Sequence, residues 1–116
     1  MPDRYEGQKF RACIDAFVLW TIGALDDATN AKLEALTPSL RKTFDMDGGT
    51  WQEVVMQQMD FDDEYVEWLR EKWRRQLDHD RLVGQEHNPK AWAHAITDFI
   101  VADDPPPAPA PGHGGR

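Results

Sequence analysis

Apolar residues recur at helical spacing over most of the first hundred positions, and no strand-like alternation is sustained. From Asp3 to Gly23 the spacing predicts one long helix, with Phe10, Cys13, Ile14, Phe17, Val18, Thr21 and Leu25 on one face. Trp20 and Ile22 widen that stripe, Leu19 falls on the opposite side, and Arg11 and Asp15 lie at its edge. A helix apolar nearly all round its last two turns belongs at the centre of a fold, covered from several directions. Gly23 is its expected stop.

The rest of the chain is punctuated by helix caps. Asp26 or Asp27 caps a helix beginning near Ala28, with Leu33 and Leu36 inward. Thr37-Pro38 then reads as a cap followed by proline at the first helical position, so a separate short helix is expected from Pro38 to Phe44. Leu40 and Phe44 face its inner side. Asp45-Met-Asp-Gly-Gly is a turn in which the paired glycines supply positive φ. Thr50-Trp-Gln-Glu53 matches a capping box, and the helix it opens puts Trp51, Val54, Val55, Met56 and Met59 on one side.

Asp60 or Asp62 caps the next helix, with Asp63 and Glu64 in its first turn, where the helix dipole favours acids. Tyr65, Val66, Leu69, Trp73 and Leu77 share its inner face, Glu71–Arg75 is one of several supporting ion pairs, and Gly84 ends it. Asn88-Pro89 opens the last helix, which runs to about Ala102. Trp92, Ala95, Ile96, Phe99 and Ile100 form its apolar stripe, with His94 and Asp98 off it. From Asp103 the chain turns to proline, glycine and alanine, a composition that builds no core and predicts a disordered tail. The expected architecture is all-α: one domain over residues 1–102, a compact irregular or orthogonal bundle of five or six helices around the first, and a tail over 103–116.

Charge sharpens this picture. Between Thr43 and Leu69 there is no lysine or arginine, while Asp45, Asp47, Glu53, Asp60, Asp62, Asp63, Glu64 and Glu67 all fall there. The chain carries −8 in total, so its whole net charge resides in that stretch. This charge opposes binding to nucleic acid, which rests on phosphate neutralisation, and to an anionic membrane surface. No apolar run approaches the ~20 residues of a membrane span. The N-terminus lacks the apolar core of a signal peptide, and a single cysteine excludes an internal disulfide; the expectation is a cytoplasmic protein in a reducing compartment.

Catalytic and metal-binding patterns are weak. Read as an EF-hand loop from Asp45, the fifth position is Gly49, the sixth Thr50 and the twelfth Met56, so the pattern fails. No two histidines stand four residues apart. His94 and Asp98 have the spacing of a proton-transfer dyad, but no nucleophile stands near them in sequence, which favours a surface contact. His79, between Asp78 and Asp80, reads as a solvated histidine. Cys13, on an inward stripe, reads as a small hydrophobe. No phosphate-loop, dinucleotide or hydrolase motif occurs, so neither an enzyme nor a cofactor or metal centre is expected.

Trp68 sits outside the inner stripe of its helix, beside Glu64 and Glu67, and a tryptophan edge among acids has the composition of an interface anchor. Leu19 raises the same question on the first helix. Capping uses up Thr50, Glu53 and one of Asp60 or Asp62. The residues left for a partner are Asp45, Asp47, Asp63, Glu64, Glu67 and Trp68. The expected function is therefore non-catalytic protein interaction, as an inhibitor, immunity-type protein or adaptor facing a basic partner. The alternatives are a nucleic-acid mimic that blocks a basic protein, and a helical bundle that binds a small molecule or metal.

Overall fold

A computed structural model of the chain describes residues 7–102. The expected helix start at Asp3 and the proline-rich tail lie outside the described residues. Five helices follow in order: α1 Gly7–Thr21, α2 Asp27–Thr43, α3 Trp51–Met59, α4 Asp63–Val83 and α5 Pro89–Ala102. The fold is all-α.

α1 is the hub. It packs against each of the other four helices, most extensively α5. Among the described residues the only other pair that brings backbones close is α2 with α3. Ile14, Phe17 and Val18 are fully enclosed at the centre, where they meet Trp51, Val55, Met59, Leu69 and Ala93. Cys13 is buried among them, and desolvation pushes its thiol up to about 11. Leu19, expected on the far side, is also buried; the side chain left outside is Trp20, 42% exposed. Helices arriving from several sides leave the last turns of α1 with almost no outer face.

The caps form largely as expected. Asp26 accepts from the Thr29 N–H at 2.9 Å, and that bond, followed by the Thr29 hydroxyl, holds its carboxyl below the usual range. Thr50 and Glu53 complete their reciprocal box, with Thr50 N donating to Glu53 Oε1 at 2.8 Å and Glu53 N to Thr50 Oγ1 at 3.2 Å. Asp62, rather than Asp60, caps α4, and left-handed Gly84 closes it at φ +73°.

Four expectations are corrected. The two helices expected around Thr37-Pro38 are one: α2 runs through Pro38. Thr37 is buried, and its hydroxyl bonds back to the Leu33 carbonyl at 2.8 Å instead of capping a new helix. Pro38 is exposed, and the Glu34 carbonyl loses its helical donor there. Leu36, expected inside, is 42% exposed.

α5 is rotated relative to its expected stripe. Ala93, Thr97 and Ile100 are buried against α1, Trp92 and Ile96 are half-buried, Ala95 is exposed and Phe99 is 59% exposed. Small side chains at 93 and 97 let the two backbones approach closely, and close packing outweighs the larger apolar areas of Phe99 and Trp92.

The acidic turn also differs. Gly49 has φ +112°, but the other positive φ belongs to Asp45 at 57°, not to Gly48.

Candidate functional site

The acidic stretch folds into two turns at opposite ends of α3. In the first, α2 ends at Phe44, and Met46 N reaches back to the Arg41 carbonyl at 2.8 Å. Arg41 folds over the turn, its Nη1 donating to the Gly49 carbonyl at 3.0 Å. Asp45 and Asp47 are exposed beside it. In the second turn, Asp60 terminates α3 in a left-handed conformation at φ 60°, and Asp62 accepts from the Tyr65 N–H at 2.9 Å. Asp63 and Glu64 then stand exposed on the first turn of α4.

Nine residues of helix separate the turns, about 12 Å along the axis. The carboxylates therefore do not converge. Among the described residues no group of three or more histidine, cysteine, aspartate or glutamate side chains is placed to hold a metal ion.

Trp68 lies with the second turn. It is half-buried, its ring 5.2 Å from Tyr65 and 5.5 Å from the Lys72 ammonium. Tyr65 stacks on Phe61 at 4.2 Å, Phe61 meets Phe17 at 5.6 Å, and Phe17 meets Trp20 at 5.7 Å. A run of rings thus passes from Trp68 through the core to Trp20. Glu67 pairs with Arg70 at 2.6 Å. The sequence isolates the acidic stretch from cations, but the fold does not: Arg41 closes over one turn, and Arg70 and Lys72 reach back over Glu67 and Trp68.

Of the six expected partner-facing residues, Asp63, Glu64, Glu67 and Trp68 share the first two turns of α4, with Glu67 bridged and Trp68 partly covered. Asp45 and Asp47 stand apart beyond α3.

His94 and Asp98 make surface contacts, as their sequence context favours, but with α1 rather than with each other. α5 runs antiparallel to α1, and the two side chains reach across to it separately: His94 Nδ1 lies 3.1 Å from Asp15 Oδ2, and Asp98 pairs with Arg11. An i,i+4 pair facing a second i,i+4 pair finds its better geometry across the interface.

Sequence reasoning also missed Asp80, which is buried. It accepts from Gln76 Nε2 at 2.8 Å and contacts His87 Nδ1 at 3.2 Å, while His79 Nδ1 lies 3.7 Å away. The His87 contact, then Gln76, holds its carboxyl below the usual range despite burial. His87 edges the Trp73 ring at 6.5 Å, and Trp73 meets Trp92 at 5.0 Å. Trp73, expected in the core, is half-buried and serves as the aromatic link between α4 and α5. The only sequence signal for Asp80 was its i,i+4 spacing from Gln76 on a helix nearing its end.

Compared with protein-family models, curated proteins and solved structures, the chain matches none of them. Among the described residues, no helix is long and apolar enough to cross a membrane.

Proposed function

We propose that this chain is a non-catalytic protein-interaction domain that docks a basic partner against the N-terminal turns of α4. The supporting observation is the juxtaposition of exposed Asp63 and Glu64 with half-buried Tyr65 and Trp68 on one short helical segment. Exposed carboxylates steer an oppositely charged partner and select for it. An aromatic edge beside them supplies apolar contact that charge alone does not. Asp45 and Asp47 extend the negative field from the other end of α3 without joining the contact centre. Immunity-type proteins, inhibitors and adaptors share this requirement: a rigid scaffold, a charged rim and an aromatic anchor.

The test is affinity capture from the native extract with the wild-type chain and an Asp63→Lys/Glu64→Lys variant, followed by association kinetics with whatever is retained. A partner held by the wild type and lost by the variant, whose association slows as ionic strength rises, supports the proposal. Equal capture by both chains, or an association rate indifferent to salt, overturns it.

A further inference from the structure

α4, at 21 residues, is longer than α1, at 15. Arg70, Trp73, Arg74 and Leu77 lie along one face of α4 beside the end of α1, and Trp73 also packs against Trp92 of α5. With Thr21 and Ile22 these side chains wall an open depression of about 220 Å³. Their spacing (i, i+3, i+4, i+7) is that of a single helical stripe.

Two features set this depression apart from an ordinary surface dent. First, the carbonyls that end α1 are already paired. Val18 O accepts the Thr21 hydroxyl at 2.7 Å, Leu19 O accepts the Ala24 N–H at 2.9 Å, Trp20 O accepts the Gly23 N–H at 3.1 Å and Thr21 O accepts Arg70 Nε at 2.9 Å. The helix end therefore turns no unpaired acceptor towards a bound anion. Second, the local charge runs against the chain. Within a protein of net charge −8, the segment 67–75 holds Arg70, Lys72, Arg74 and Arg75 against Glu67, which pairs with Arg70, and Glu71, which pairs with both Arg74 and Arg75. Arg74 spends one nitrogen on exposed Glu71, and the rest of its planar fork has no partner among the described residues.

We propose that this depression binds a small amphipathic carboxylate, its flat apolar body lying on Ile22, Leu77 and the part of Trp73 that lines the depression, and its carboxylate taken by Arg74. Arginine matches a carboxylate with two parallel hydrogen bonds, which a point-charge ammonium does not. The volume is smaller than the usual range for drug-sized ligands, so the body is one or two fused rings. This site lies on the basic segment of α4, and its occupancy does not depend on the acidic surface.

The probe is 2-naphthoate, titrated into the full ¹⁵N-labelled chain and followed by amide and indole NMR shifts. The expected result is shifts concentrated at Thr21, Ile22 and 70–77, including the Trp73 indole, with neutral 2-naphthamide binding about tenfold more weakly. Arg74→Gln removes a side chain whose only ion-pair partner among the described residues is Glu71; it weakens 2-naphthoate by a similar factor while spectral dispersion stays unchanged. Shifts that fall elsewhere, or no shifts into the millimolar range, overturn the proposal. So does equal affinity for the acid and the amide, a comparison that needs no variant.

Discussion

His87 Nδ1 lies 3.2 Å from Asp80 Oδ2, so a histidine in the last interhelical loop closes onto a buried carboxylate of α4. α4 and α5 make no close backbone approach among the described residues. Beside this contact the Trp73–Trp92 ring pair joins the two helices. Because the Asp80 carboxyl is held below its usual value, folding favours its ionised form. Its stabilising contribution is complete above the unfolded-state value of about 3.9 and is lost as pH falls through the lower folded value. Thermal midpoints between pH 6 and pH 2 therefore fall on the acid side, and Asp80→Asn flattens that limb. An Asp80→Asn curve parallel to wild type would show that Asp80 has no share in acid unfolding.

Thr97 is fully buried, and its hydroxyl has no hydrogen-bond partner among the described residues. Replacing a buried, unpaired hydroxyl with a methyl of the same shape removes a desolvation cost. Thr97→Val is expected to stabilise the fold by about 1 kcal/mol, read from the midpoint of a urea unfolding curve at constant slope. Destabilisation of that size would mean that the hydroxyl is satisfied.

Pro38 interrupts the hydrogen-bond ladder of a continuous helix. Pro38→Ala restores the donor to the Glu34 carbonyl. Interior proline costs about 3 kcal/mol relative to alanine, partly offset by its stiffening of the unfolded chain, so the net gain is about 1–2 kcal/mol. Two separate helices, with proline at the start of the second, would make the substitution nearly neutral. Equilibrium unfolding distinguishes these arrangements.

The Thr50–Glu53 box sits directly after Gly49, whose φ is +112° and where an added Cβ would come within 3.0 Å of Glu53 Oε1. Thr50→Ala is expected to cost about 1 kcal/mol, and Thr50→Ser to retain most of the cap. Gly49→Ala destabilises through both the strained backbone and the displaced Glu53. If Thr50→Ala leaves the unfolding midpoint unchanged, the reciprocal bonds contribute no net stability.

How far the molecule could be read from its residues depended on whether the signal was local. Caps are local, and Asp26, Thr50, Asp62 and Gly84 act within a few residues of where they stand in the chain. The central position of α1 followed from apolar residues on nearly every side of its last turns. The facing of α5 was not local. Trp92, Ala93, Ala95, Ile96, Phe99 and Ile100 cover more of the helix than one neighbour can bury. The choice fell to Ala93 and Thr97, whose merit is their small size against α1. Thr37-Pro38 misled because the same dipeptide suits a helix start and an exposed interior position, and only the buried back-bond to Leu33 distinguishes them. At the candidate surface, the acids and the Trp68 edge were readable. The cations that fold back over them were not, because Arg41 and Arg70 come from flanking sequence.

The dependence of every layer on α1 bears on how the chain acquires its structure. Its widest interface is with α5, and the side-chain pairs Arg11–Asp98 and Asp15–His94 span 87 and 79 residues. Closing so long a loop comes late, since its entropic cost precedes any reward from the contact. During synthesis, then, the hub helix emerges first and receives its principal cover last. Until α5 has been made, Arg11 and Asp15 lack their partners and the face of α1 that α5 covers stays open. Apolar surface left open in such an interval is prone to aggregate.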